Sequence, residues 1–343
     1  MINCSNAAAL SVSTFGNGTN QATNAIFGGV AGRVEKATNQ CDNSGNISFA
    51  NNGNSSVVRA GGLIGYTKNA INESGNTGDL TFTDVKGAAH IGGVLGYADG
   101  TAAIISGCEN GGDVIVGFSA TGTTAYNYVG GIAGLGQALT SCTNSGNVTT
   151  TNKKVRLGGL AGQAASTITG CYVLDCAITL KNAVKDSEVG GFAAYCNANI
   201  SASGFSGVVD NQSTTATYTG GLVAAVRGKD NPTISDTYLS VDLKAANAEG
   251  YNGLIYGGQY DPSQACTITL GQSGKTLKVL NTSKFVGALV SKDTTPLVGR
   301  INNTNYQLTV NSEFVEFVDS LPTDSGSTTS AFQPASNWTG TWN

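Results

Sequence analysis

Residues 61–76 read GGLIGYTKNAINESGN: a glycine pair, a short apolar run containing a third glycine, then an Asn/Ser/Gly turn. Nearly the same phrase recurs along the chain. Glycine pairs begin at Gly28, Gly61, Gly92, Gly130, Gly158, Gly190 and Gly220, at intervals of 28 to 38 residues. Asn252 opens a degenerate copy, NGLIY, and Phe285 opens another, FVGALV. Each pair precedes an apolar couple such as Leu63-Ile64, Val94-Leu95 or Leu160-Ala161. Further on comes Cys or a small apolar residue, then Asn-Ser-Gly-Asn or a variant, then Val or Ile alternating with Thr, as in Asn147-Val148-Thr149-Thr150.

A period between 20 and 50 residues is the signature of a solenoid or a propeller. The apolar runs are short, rich in β-branched residues and bounded by Gly/Asn turns, which makes them strands. No copy holds a ten-residue stretch of helical period, against leucine-rich or all-helical repeats. A four-stranded propeller blade needs about 40 residues, more than most copies supply. Coils of a parallel β-helix fit better, because coils stacked about 4.8 Å apart align identical residues into ladders and push insertions out at turns. The sequence therefore predicts an all-β fold, a right-handed parallel β-helix of about eight to ten coils, with the repeats over 1–275 and the last coil, cap and tail over 276–343.

Ladders can be read at two places. Cys4, Cys41, Cys108, Cys142, Cys171 and Cys266 are expected at one repeat position, with Ile71 in the missing place, as a column of small buried hydrophobes. Beside it the expected columns are Asn43, Glu73, Asn110, Asn144; then Gly45, Gly75, Gly112, Gly146 in a left-handed turn; then Asn46, Asn76, Asp113, Asn147. Stacked Asn amides hydrogen-bond along such a column. Spacings near thirty residues do not suit a disulfide framework. Cys176 and Cys196 lie off the ladder and are the better candidates for a bridge, free thiols being the expected state. No CxxC pairs with a histidine in zinc-site spacing. At the C-terminal end Ser312 to Leu321, SEFVEFVDSL, places Phe314, Phe317, Val318 and Leu321 on one helical face before Pro322 and predicts a short helical cap. The Ser/Thr-rich tail beyond carries Trp338 and Trp342, the only tryptophans, and is expected to dock on apolar surface.

The chain has 343 residues, 48 of them glycine, only 12% charged, and a net charge of −4. Sparse charge covered by Asn, Ser and Thr is usual in extracellular β-proteins. With no basic run, a nucleic-acid surface is not expected, nor is a membrane span, since no run approaches about 20 apolar residues. Met1 is the only methionine and the first residues lack a signal-peptide pattern. The expectation is a monomeric fragment of a longer exported protein.

The GG-[VIL]-[AIL]-G phrase with its Asn-Ser-Gly-Asn turn resembles the GLUG-motif repeats of bacterial cell-surface proteins. The resemblance covers about residues 28–270, with the best copies at 61–65, 130–134 and 158–162, and it departs where the final glycine becomes Ala194 and Ala224. It implies an exported, surface-attached repeat module of adhesin-like or protease-associated proteins, and it carries no catalytic residues over.

Chemistry-bearing residues are few. His90, the only histidine, stands before Ile91-Gly92-Gly93 with no GxSxG elbow in the chain, and reads as structural. Asp42, Glu73, Glu109 and Asp113 gather near one corner of successive coils, the carboxylate pairing a polysaccharide lyase or glycoside hydrolase needs. No base recurs beside them, and Asp and Asn at turns more often satisfy backbone. Neither a metal nor a cofactor is expected. Five residues after each glycine pair begins stand Arg33, Tyr66, Tyr97, Leu135, Gln163 and Tyr195. Tyr66 and Tyr97 should be vertical neighbours with Arg33 beside them, a ridge suited to stacking on sugar faces. The functional expectation is a surface-exposed structural or adhesive module binding extracellular glycan or a host matrix protein; the alternatives are a glycan-active enzyme at the acidic corner and an inert spacer.

Overall fold

The structure is a computed structural model, and it describes residues 1–12, 24–50, 57–119, 125–215, 217–227, 229–247, 250–260, 264–281, 283, 297–299 and 308–320. The chain is all-β, a parallel β-solenoid of about seven turns. One coil consists of strands Val57–Gly61, Ile64–Thr67, Ile71–Asn72, Gly75–Asn76 and Leu80–Val85. The next coil lies on it strand for strand, pairing Gly61 with Gly92, Ile64 with Leu95, Ile71 with Ile105, Asn76 with Asn110 and Leu80 with Val114. Strands ahead of the glycine pairs stack into one sheet, eight deep from Ala25–Gly28 to Tyr251–Gly253. Strands behind them make a second, eight deep from Ala31–Val34 to Tyr256–Tyr260. The other strands form the third face and the corners. The degenerate copy joins the stack with Gly253 opposite Gly220, while FVGALV at Phe285, which would add to the coil count, lies outside the described residues.

The interior is a set of in-register columns. Leu63, Val94, Ile132, Leu160, Phe192 and Leu222 fill one; Ile71, Ile105, Leu139, Ile168, Ile200 and Ile234 fill another; all are fully buried. Each such side chain contributes about 1.5–3 kcal/mol on leaving water. Beside them runs the polar spine: Nδ2 of Asn6, Asn43, Asn76 and Asn110 each donates to Oδ1 of the next asparagine at 2.8 Å, ending at Asn144. Each amide from Asn43 to Asn144 also donates to the carbonyl two residues on, so these buried groups are satisfied in full. Past Asn144 the column turns apolar at Val173 and Phe205.

The register corrects several expected ladders. In the coil holding ESGN, Ser74, Asn76, Gly78 and Asp79 take the places assigned to Ile71, Glu73, Gly75 and Asn76. Inward-facing Leu80 must meet Ile47 and Val114, and that apolar alternation sets the phase rather than the look-alike turn. Cys266 also leaves the ladder: Leu270 pairs with Ile234, and Thr237 stands opposite Ser203 instead. The column is thus Cys4, Cys41, Ser74, Cys108, Cys142, Cys171, Ser203 and Thr237. Its shared property is an S–H or O–H. Ser74, Cys108, Cys142, Ser203 and Thr237 each donate to the carbonyl two residues back. Cys41, Ser74, Cys171 and Ser203 also accept a backbone N–H from the preceding coil, Ser74 Oγ from Cys41 and Cys171 Sγ from Cys142 among them. A plain hydrophobe cannot do both. All eight cysteines, Cys176 and Cys196 included, are free thiols.

The left-handed turn lies elsewhere too. Asn3, Gln40, Glu73, Gly107, Ser141, Gly170, Ala202 and Asp236 form the corner column, with φ between 47 and 65°. Gly45, Gly78, Gly112 and Gly146 answer a different need, close approach: a Cβ on any of them would fall 2.0–2.2 Å from a carbonyl oxygen of the coil before. The helical cap is also overturned. Val315–Val318 is a strand lying parallel on Leu277–Leu280, with Val315 opposite Leu277 and Phe317 opposite Val279. An open strand edge supplied hydrogen bonds, and the alternation in VEFV suited it. Trp338, Trp342 and the tail lie outside the described residues.

Candidate functional site

The tight turn at each glycine pair brings two outward positions together, two residues before the pair and five after its start. The second column is Arg33, Tyr66, Tyr97, Leu135, Gln163 and Tyr195, each opposite the next in the pairing. The first is Ile26, Arg59, His90, Tyr128, Arg156, Glu188, Tyr218 and Tyr251. The side chains interdigitate into one aromatic and guanidinium face.

At the N-terminal end Tyr66 and Tyr97 stack with centroids 5.9 Å apart and planes within 8°. Arg33 lies over Tyr66 at 4.7 Å, while Arg59 lies over Tyr97 at 4.6 Å and Tyr66 at 5.4 Å. Tyr66 is only 5% exposed; its ring faces are occupied by these neighbours and its hydroxyl donates to Asp99. Burial and then that bond push its phenol up to about 12. His90 meets Tyr97 edge-on at 4.8 Å and stacks on Tyr128 at 4.9 Å. Burial, reinforced by the charge of Arg59, pushes the imidazole down to about 3, so His90 is neutral.

Further along, Arg156 makes a buried two-bond pair with Glu188, Nε–Oε2 3.0 Å and Nη2–Oε1 3.2 Å, and donates to Gln163 at 2.6 Å. Tyr126 and Tyr195 flank its guanidinium at 4.3 and 4.5 Å. Tyr126, from the loop of the 38-residue copy that begins at Gly92, also donates to the Asp186 carbonyl. Of that loop, Thr121 to Thr124 lie outside the described residues.

The four carboxylates of the acidic corner fall on three different columns. Asp42 and Glu109 share one, on either side of Gly75, and with Ser44, Thr77, Gly111 and Ser145 they line a shallow notch of about 330 Å³. Glu73 stands on the left-handed corner and accepts from Gln40 at 3.1 Å. Asp113 accepts both the backbone N–H and the side-chain amide of Asn147. Among the described residues no group of three or more His, Cys, Asp or Glu is placed to hold a metal ion, and no helix is long and apolar enough to cross a membrane.

Sequence reasoning found the Arg33–Tyr66–Tyr97 stack but missed Arg59, Tyr128 and Arg156 beside it; His90, read from the sequence as structural, is a largely buried ring packed between Tyr97 and Tyr128. The signal was present, since each stands two residues before a glycine pair. No family model, curated protein or solved structure matches the chain.

Proposed function

We propose that this chain is a structural and adhesive repeat module of an exported bacterial surface protein, which offers the aromatic–guanidinium face to extracellular glycan or a host matrix protein. The observation that carries this reading is that face itself: successive coils of fixed register bring aromatic and arginine side chains into two touching columns, while the inward columns stay nearly uniform. Rigid, low-entropy groups held in advance are what recognition of a polar polymer favours. The resemblance of the repeat phrase to GLUG-motif surface proteins points the same way. A lyase or hydrolase at the acidic corner has less support. Asp42 and Glu109, two coils apart, are separated by about 9.6 Å of stacking, at the outer limit for a glycosidase pair.

The test is binding of the intact chain to a glycan array and a panel of matrix proteins, beside the Tyr66→Ala/Tyr97→Ala double variant. Selective binding that the double variant loses supports the reading. Silence across both panels overturns it and leaves a spacer.

A further inference from the structure

Among the described arginines of this face, Arg59 alone has no carboxylate partner. Arg33 pairs with Glu35 and Lys68 lies 3.7 Å from Asp99. Arg59 makes no ion pair and no hydrogen bond to any described residue, and its Nε is buried without a partner. Its contacts are the two ring faces of Tyr66 and Tyr97. A buried donor left unpaired costs stability, and a guanidinium is ordinarily matched to a carboxylate or phosphate by its planar fork.

The stacking also fixes orientation. Two nearly parallel tyrosines hold the guanidinium plane, and His90 on the next coil, paired with Arg59 in the strand register, closes one side without competing for charge. The backbone of Arg59 is paired to Ile26 and His90 on its two sides. With Nε buried as well, the exposure the residue retains falls toward its two Nη atoms. The rotamer freedom an arginine usually loses on binding is thus already lost in the free protein.

Resting on the glycan-facing reading above, we propose that Arg59 is the carboxylate receptor of this face and that the ligand is an acidic, uronate-bearing polysaccharide. A sugar carboxylate meets the two Nη donors end-on, a bidentate, charge-assisted pair. The chain as a whole carries a net charge of −4, so an acidic polymer is guided to this local positive site and repelled elsewhere, which sets its position on the rod.

The experiment measures binding of polygalacturonate oligomers, of their methyl esters, of dextran and of a sulfated glycosaminoglycan to the intact chain. It compares wild type with Arg59→Gln and Arg59→Lys at physiological salt, each variant checked by its thermal melt. Expected is binding of the acid at least tenfold tighter than of its methyl ester or dextran, with at least a tenfold loss in both variants, because lysine keeps the charge but not the fork. Equal binding of acid and ester, or no effect of Arg59→Gln, overturns the receptor while leaving a glycan-binding face. Full rescue by Arg59→Lys, or tighter binding of the sulfated polymer, overturns the carboxylate fork in favour of a point charge. Absence of binding to every glycan overturns the receptor, and unless a matrix protein binds, the functional reading fails with it. Should the variants fail to fold, the acid–ester comparison on wild type still decides.

Discussion

Gly93 and Asn110 face each other across the solenoid so closely that a Cβ on Gly93 would lie 2.3 Å from the amide carbon of Asn110. The same Cβ would lie 2.1 Å from the carbonyl of Gly131 on the next coil. The glycine pair and the Asn-Ser-Gly-Asn turn recur together because they are two halves of one contact. The repeated phrase is therefore an interlock, and its weak points can be tested one by one.

Gly93→Ala has nowhere to place its methyl, since backbone blocks it on one side and the amide spine on the other. It should destabilise by about 3 kcal/mol, the upper end for overpacking. Gly111, on the outer surface with no atom closer than 3.8 Å to an added Cβ, should accept alanine within about 0.5 kcal/mol. Denaturant unfolding of the two variants checks the contrast.

Asn76→Ala removes a rung from the middle of the spine, leaving a donor on Asn43 and an acceptor on Asn110 buried without partners. At 1–3 kcal/mol for each such group, a loss of about 3 kcal/mol is expected. Asn46→Ala, at an exposed position where the side chain accepts only the Asp79 amide, should cost less than about 1 kcal/mol. Equal costs would count against the spine as a source of stability.

Ser74 tests what the cysteine column requires. Ser74→Cys keeps a donor and an acceptor and should be nearly silent. Ser74→Val leaves the Cys41 amide without its 3.1 Å acceptor and should cost about 2 kcal/mol. If valine were tolerated as well as cysteine, the column would be hydrophobic filling after all.

The thiols should be chemically quiet. Burial raises Cys171 well above the usual thiol range, Cys176 to about 12 and Cys196 to about 11, so these three hold little thiolate at neutral pH. Against the upward push of burial, Cys142 is pulled down by hydrogen bonds from Cys108 and Cys171, but it is fully buried, so the reagent does not reach it. Iodoacetamide on the native chain should label at most Cys4, which is half-buried, and all eight cysteines after unfolding. Peptide mass spectrometry reads this directly.

His90 gives stability a pH signature. Its folded value, about 3, lies below the unfolded 6.5, so below 6.5 the unfolded chain binds a proton that the folded chain refuses. Stability from this group is intact above pH 6.5 and falls as pH drops toward 3, by up to about 1.4 kcal/mol per pH unit. Arg59, Tyr97 and Tyr128 are the groups that face it. His90→Phe retains the stacking and cannot titrate, so the difference between the two stability profiles should become constant above pH 7 and change with pH only below it.

The sequence made the phase of the glycine pairs legible, because pair and following strand are never separated by an insertion. Hence Arg33, Tyr66 and Tyr97 could be stacked correctly from spacing alone. The same count applied backwards reaches Arg59, His90 and Arg156, whose partners become visible only when both sides of the turn are considered. Asn43 and Asn76 stand equally far from their glycine pairs, so spacing alone favours Asn76 for the spine; the look-alike Glu73-Ser74-Gly75-Asn76 turn competes with it, and only the strand register separates the two. In the later coils the stretch behind the pair lengthens, so Cys266 keeps a ladder spacing that the register no longer follows. Residues 312–321 suit helical and alternating periods equally, and a strand some forty residues earlier settled the matter, which no local window contains.

From the coil of Asn43 to that of Asn144 the Asn–Gly interlock repeats unchanged, so the inner contact that one coil offers the next is the same at each step. A segment of about 33 residues duplicated or deleted in the gene would find a matching seat without refitting its neighbours, and each event would change the rod by about 4.8 Å. Past Val173 and Phe205 the seats differ, and such an exchange would jam. Coil number should therefore be easier to change in the first half than in the second.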